Sequence, residues 1–476
     1  MSLETLGEHS SLGSAPIYRI PLEVLSQIFC FSIPEPDKDE SSFLNIQLLA
    51  HCISTLARVE SRWKNTVYAT PALWSTFSLD GEDIRVNNVW MERWLSRSRV
   101  LPLDIALNFS DRSTDRASLL VGKFLQSHLR IRSLHLEGDI MAFLPVFHLP
   151  RDALPLLEEL HLSIERVGND LLQPLSSLLP PQPKAFGDSA NLRRLKVEDC
   201  DELSILERLA LPLQLLESLQ LRSYNSNIDP TVYLRALNQC HALESLDIDL
   251  TGHYRGTISK IPCTLHSLKS LEARPRPVSS DHAFSLLSNL SAPSLEKFDL
   301  HFSSFELDRQ LAQISDFQCR SGFLLRSLTL DLHHAQFDYA TDFFDGILSL
   351  FPTVTCLRIC YPLLGMQSML ITLLDILVID PSTGPVFLPR LEEFTLEFKV
   401  VAGSAEPRMY PSLLTRMILS RWRSHPSDGG AAAAADNNDV LHLRGRRLTL
   451  VTLRGIKFSK DIAMLSELSG LRLDHK

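Results

Sequence analysis

A chain of 476 residues is too long for one ordinary hydrophobic core, so several domains or a repeat array are expected. With 45% hydrophobic and 22% charged residues, its composition is that of a folded protein and not of a disordered one. A net charge of −9 gives no general attraction to nucleic acid or to an anionic membrane. Residues Met1 to Pro16 are polar and lack the basic and apolar regions of a secretory leader. The longest uncharged stretches, Ser41 to Ala57 and Ile359 to Leu374, are broken by polar residues or proline, whereas a membrane span needs about 20 mostly apolar residues. Eight cysteines are too sparse for a disulfide framework. The expectation is a cytoplasmic and/or nuclear protein with no nucleic-acid and no membrane partner.

Residues 1–15 are expected to be disordered. Arg19 to Phe29 then reads as a helix start, with Pro21 at the first helical position, where its missing N–H is not needed. Leu22, Leu25, Ile28 and Phe29 follow at helical spacing. After a polar stretch with proline, Asn45 to Val59 is again helical in period, and Val59, Trp63 and Val67 continue its apolar stripe. Thr70-Pro71 stops the run, since a residue before proline is pushed out of the helical region. On periodicity alone this is a small helical bundle that caps whatever comes next.

The wording of these segments adds to that. Ile20-Pro21-x-Glu23-Val24-Leu25-x-x-Ile28-Phe29 is followed by Ala57-Arg58-Val59-x-x-Arg62-Trp63 and Ala69-Thr70-Pro71-x-Leu73-Trp74. Three pieces in this order resemble an F-box, most of all the expanded F-box family of mushroom-forming (basidiomycete) fungi. The resemblance covers about residues 16–80. It departs from the family at Ile20, where leucine is usual, and at Glu60, where a cysteine is common. It implies a module that binds the Skp adaptor of an SCF-type ubiquitin ligase, and through it cullin. The residues it assigns to that contact are Pro21, Leu22, Leu25, Ile28, Phe29 and Trp63, each of which could equally pack within the bundle.

Beyond Trp74 the pattern changes. Val89 to Arg97 reads as helix and Leu103 to Leu107 alternates as a strand. A short motif then recurs: aliphatic, two polar, aliphatic, one polar, aliphatic. Ile131-Arg-Ser-Leu134-His-Leu136 is its first instance, and Leu216-Glu-Ser-Leu219-Gln-Leu221 and Leu243-Glu-Ser-Leu246-Asp-Ile248 are typical. Eleven instances run to Leu448-Thr-Leu-Val451-Thr-Leu453. Their centres, from Leu134 to Phe394, lie 24 to 37 residues apart, close to the 20–29-residue period of leucine-rich repeats. Residues 81–476 are therefore expected to form an α/β leucine-rich repeat solenoid, in which stacked units build one continuous core that none could bury alone. Tyr233 to Cys240, Ala283 to Leu290 and Met366 to Val378 are the expected convex helices. Leu179 to Lys184 is a proline-rich loop, and residues 424–439, with five consecutive alanines, are a low-complexity insertion.

Strand side chains alternate, so if the motif leucines face the core, their neighbours face outward. In mid-array that outward face carries Asp247, Asp249, Glu272, Asp299 and Asp331, interrupted by Arg274, Lys297 and His301. It is either the surface for a basic or mixed-charge protein substrate or an ordinary solvated face of an acidic protein. Phosphate-binding glycine loops, nucleophile elbows and metalloprotease helices are absent from the sequence. No cofactor, no metal site and no catalytic residue is expected. The reading is a non-catalytic, substrate-recognition adaptor of an SCF-type ligase, with a ligase-independent leucine-rich repeat scaffold as the alternative.

Overall fold

The computed structural model describes residues 16–33, 46–80, 88–109, 114–165, 183–199, 204–223, 228–250, 261–274, 286–303, 307–334, 340–362, 367–380, 386–399, 411–422, 448–454, 465 and 471–475. The expected disordered terminus and the 424–439 insertion lie outside these residues, and most of the 179–184 loop does too.

Among the described residues three helices come first: α1 (Leu22–Ser32), α2 (Ile46–Val59) and α3 (Ser61–Ala69). Pro21 caps α1 from outside, with φ −57° and ψ 149°, one residue earlier than the sequence suggests. Its ring fixes φ at a value compatible with either position, so the sequence alone does not choose between them. The stripe Val59–Trp63–Val67 is not carried on one helix. Glu60 is extended (φ −162°, ψ 169°) and separates α2 from α3. Val59 is left exposed, Trp63 packs against Phe29 at 4.9 Å between ring centroids, and Val67 is fully buried. As expected, α3 stops at Thr70-Pro71. The hydroxyls of Ser26 and Thr70 hydrogen-bond at 2.8 Å, and Arg62 donates to the carbonyls of Ile17 and Ile20, which locks the chain entry onto α3.

Among the described residues, the rest is built on one parallel sheet of fourteen strands. In chain order these are β1 (Thr76–Asp80), β2 (Leu103–Phe109), β3 (Ile131–Asp139), β4 (Glu159–Glu165), β5 (Arg194–Asp199), β6 (Ser218–Ser223) and β7 (Ser245–Leu250). A two-residue strand, β8 (Cys263–Thr264), pairs with β10 (Leu290–Ser291) in a separate small sheet. The main sheet continues through β9 (Ser270–Ala273), β11 (Lys297–Ser303), β12 (Ser327–His334), β13 (Cys356–Pro362), β14 (Glu393–Lys399), β15 (Leu450–Arg454) and β16 (Arg472–His475). Every one of the eleven motifs lies on a strand, and motif centres sit side by side: Leu219, Leu246, Leu271 and Phe298 form one register row. Fourteen strands at ~4.8 Å make a sheet about 62 Å along its arc.

The two residues that follow the first aliphatic of the motif lie at the entry edge of the sheet, where a backbone ladder pairs their N–H groups along most of the array. Glu217 and Ser218 both donate their N–H to the Arg193 carbonyl, at 2.8 and 3.0 Å, and Glu244 and Ser245 both donate to Glu217. The same step repeats as far as Thr449 and Leu450 on Glu392. Side chains there can stay polar because the backbone groups are already paired.

Helices cover the other face among the described residues: α4 (Asn88–Arg97), α5 (Thr114–Phe124), α6 (Ile140–Phe147), α7 (Ile205–Arg208), α8 (Thr231–Leu237), α9 (Leu307–Ser321), α10 (Ala340–Ser349), α11 (Gln367–Ile376) and α12 (Pro411–Trp422). Two of the expected convex helices are α8 and α11; the third, Ala283 to Leu290, lies partly outside the described residues. Arginines tie this layer to the repeat before it. Arg130 donates to the Leu101 carbonyl, Arg320 to those of Leu287 and Leu290, and Arg421 to those of Leu377, Phe387 and Leu388.

The sheet begins at Thr76, inside residues 16–80, so the helical module and the solenoid overlap by one strand. Aromatic rings fill the junction. Trp74 meets Trp94 edge-on at 4.8 Å, Trp94 meets Trp90 at 4.8 Å, and Phe77 meets Phe124 at 4.4 Å. The Arg97 guanidinium lies over the rings of Tyr68 and Trp74, at 4.1 and 4.4 Å, and a single buried cluster runs from Leu25 to Leu471. The fold is an α/β leucine-rich-repeat-type solenoid preceded by a small all-α, F-box-like module.

Candidate functional site

Two surfaces stand out, one on the module and one on the outward face of the sheet. At 100° per residue, α1 has two apolar faces. One faces inward and holds Leu25 and Phe29, each 1% exposed, which pack the module's own core. The other holds Val24, Ile28 (45% exposed) and Phe31 (87% exposed); Leu22 and Ile17 are exposed as well, Leu22 at the rim of the Leu25–Phe29 face. The six residues assigned by resemblance therefore divide. Pro21, Leu22 and Ile28 are on the surface, Trp63 is half-buried against Phe29, and Leu25 and Phe29 support the face from below. Val24 and Phe31 escaped the sequence reading, although their spacing from Ile28 (i−4 and i+3) is the signal that places them together.

The outward face of the sheet follows the register. One row runs His161, Lys196, Gln220, Asp247, Glu272, Asp299, Thr329 and Arg358. The next row holds Glu198, Arg222 and Asp249, and further on His301, Asp331, Cys360, Glu397 and Arg454. Charges pair across strands. Glu198 takes Lys196 at 2.8 Å, Arg222 at 3.3 Å and His161 at 3.5 Å. Burial pushes the Glu198 carboxyl up, but the adjoining His161 and the Lys196 ammonium outweigh this and hold it well below the usual range. At the other end Glu397 takes Arg358 at 3.1 Å and Arg454 at 3.5 Å. His135 stacks on His161 with 3.5 Å between ring centroids, and burial pushes its imidazole down to about 2, so it is neutral.

All five acids named from the sequence lie together on this face. The cations interrupting them are not spectators, however. Arg274 holds Glu272 at 2.7 Å and stands 3.6 Å from Asp247, and Lys297 holds Asp299 at 2.8 Å. His301 bridges Glu272 at 2.9 Å and Asp331 at 3.0 Å. Asp247 and Asp249 are buried. The face is a cross-strand ion-pair lattice with an acidic middle, not a bare acidic surface.

His301 has a measurable consequence. Burial alone would lower its pKa, but the two carboxylates outweigh burial and lift it to about 9. Because the folded value exceeds the unfolded one of about 6.5, the added stability is complete below that pH and disappears as pH rises through about 9. His301→Gln should cost about 2–3 kcal/mol at pH ~6 and little at pH ~10. Urea melts at the two pH values check this, and an equal loss at both would refute it.

Among the described residues no group of three or more His, Cys, Asp or Glu is placed to hold a metal ion, and no helix is long and apolar enough to cross a membrane. No family model matches the chain, and no curated protein does. Among solved structures it is similar to the chain in "Crystal structure of Rad7 and Elc1 complex in yeast", at 14% identity over 82% of this chain and 92% of that one, with a TM-score of 0.36. That likeness carries no argument about function, and the fold rests on the strand register itself.

Proposed function

We propose that the protein is a substrate-recognition subunit of an SCF-type ubiquitin ligase, acting in the cytoplasm or nucleus. In this reading α1 docks the Skp adaptor, and through it cullin, while the outward face of the sheet holds a protein target. The protein catalyses nothing itself and uses no cofactor; it raises the local concentration of a target lysine beside the ligase's conjugating enzyme. The observation that carries the reading is the exposed apolar face of α1. The module's core is already filled by Leu25, Phe29, Leu49, Ile53 and Val67, so Val24, Ile28 and Phe31 are not needed to hold it together. Contiguous exposed apolar residues of this kind mark an interaction site.

Binding of the purified protein to the Skp adaptor, measured by calorimetry, tests the proposal. Val24→Asp with Ile28→Asp should weaken binding by about a hundredfold or more while leaving the melting temperature unchanged, since both side chains lie at the surface. Failure of the folded wild type to bind would end the ligase reading. A second reading, a ligase-independent scaffold with the module as a cap, is favoured by the shared aromatic junction, because capping repeats merge into the array they close. Both readings require the module for folding, so adaptor binding, and not truncation, separates them.

A further inference from the structure

The acids in the middle of the outward face are not equally satisfied. Asp247 sits on β7 between Gln220 of β6 and Glu272 of β9 in one register row. Its side chain is only 7% exposed, yet neither carboxylate oxygen has a hydrogen bond. The nearest cation, Arg274, approaches to 3.6 Å, beyond hydrogen-bond reach, because its guanidinium is taken by Glu272 at 2.7 and 2.8 Å. One strand past Glu272 in the same row, Asp299 gives one oxygen to Lys297 and leaves Oδ1 buried without a hydrogen bond. A buried carboxylate without donors is expensive unless something supplies them.

The surroundings define what that something is. On one side Lys196 and Arg222 share the single acid Glu198, and on the other Arg358 and Arg454 share Glu397. An incoming cation is repelled at both flanks and drawn to the middle, where acids outnumber bases. Among the described acids of this row, Glu272 is spoken for by Arg274 and His301, which leaves Asp247 and Asp299 as the acceptors with capacity.

We propose that Asp247 and Asp299, two strand spacings apart in one register row, each seat a lysine or arginine side chain of a bound protein segment. This rests on the reading of the sheet's outward face as the target surface and names the residue class it selects. At each carboxylate the incoming ammonium or guanidinium supplies the donors it lacks, and at Asp247 it replaces Arg274 as the nearest charge. Burial holds the Asp247 carboxyl up at about 6, with Arg274 and Arg222 lowering it and Glu272 and Asp249 raising it. Protonation at mildly acid pH removes the charge that the cation needs.

The test uses the full chain and a fluorescent octalysine probe, with an octamer of acetyl-lysine as the uncharged control. Octalysine is expected to bind, the control not, and Asp247→Asn or Asp299→Asn to weaken binding about tenfold at pH ~8. An Asn at position 247 removes a buried charge, so the variant should melt no earlier than wild type. Asp152→Asn, at an exposed acid elsewhere, should bind as wild type. Wild-type affinity should fall between pH ~8 and pH ~5, and that of Asp247→Asn should fall distinctly less. Equal affinities for wild type and Asp247→Asn, or equal pH trends, overturn the seat. Calorimetry with the Skp adaptor on the same preparations keeps the two readings apart. Adaptor binding without octalysine binding overturns the seat alone, and octalysine binding without adaptor binding overturns the ligase reading alone.

Discussion

Trp94→Ala should destabilise the whole protein by about 4 kcal/mol, the usual loss for truncating a buried tryptophan. Trp94 lies on α4, beyond the first strand, yet its ring touches Trp74 of the module, Trp90 and Phe77. The void opens at the seam, with large aromatic rings that cannot collapse into it around the cavity. Since β1 follows the module directly and pairs with β2, the damage should spread both ways. Four of the chain's five tryptophans (Trp63, Trp74, Trp90 and Trp94) belong to this region, so fluorescence reports on it selectively. In urea, tryptophan emission and far-ultraviolet dichroism should shift together to lower denaturant. A variant whose fluorescence transition moves while the dichroism transition stays would show that the module detaches from the array, and the shared core would be refuted.

Arg421→Met should cost about 4 kcal/mol. The Arg421 side chain is almost fully buried under α12, and its guanidinium donates to three carbonyls: Leu377 at 2.6 Å, Phe387 at 2.7 Å and Leu388 at 2.8 Å. Leu388 has φ of 46°, a left-handed conformation costly for leucine, and its carbonyl is one of those held. Burial lowers the arginine's pKa to about 10, so it stays charged at neutral pH. Methionine fills the volume but leaves two buried acceptors and one half-buried acceptor unmet. Lysine should not rescue, because a compact ammonium cannot reach three acceptors arranged for a planar fork. Urea midpoints for the three proteins, with hydrogen exchange over α11 and α12, measure the effect. A Met variant within about 1 kcal/mol of wild type would show that the carbonyls find other donors.

Much of this architecture is legible in the sequence, and the exceptions are informative. The motif survives because each strand must place two aliphatic side chains on the core at fixed positions, and the register aligns those positions from repeat to repeat. β1 escaped because it carries the motif in aromatic form, Trp74-Ser-Thr-Phe77-Ser-Leu79, where the ring at Trp74 serves the junction. β16 escaped because Gly470 and His475 stand where aliphatics would be. The break at Glu60 has no periodic signal, since Val59, Trp63 and Val67 hold helical spacing on either side of it. On the outward face the acids were visible, but their partners were not, because Arg274 and His301 find carboxylates two and 29 or 30 residues away. Aligning the motifs by column would have brought those pairs together. Long arginine side chains that reach back to an earlier repeat, as Arg421 does, leave no trace in spacing at all.

The fused junction has a geometric consequence. In many recognition proteins a flexible tether sets how far a captured partner can stray, and affinity then depends on linker length. Here the first strand of the array is part of the helical module, so no tether separates them. A side chain held at Asp247 lies six strand spacings from β1, roughly 29 Å along the arc, and one at Asp299 lies eight, roughly 38 Å. The solenoid is thus a ruler with fixed graduations. Removing or adding a single repeat between β2 and β6 would move whatever it holds by about 5 Å without changing a contact at either end.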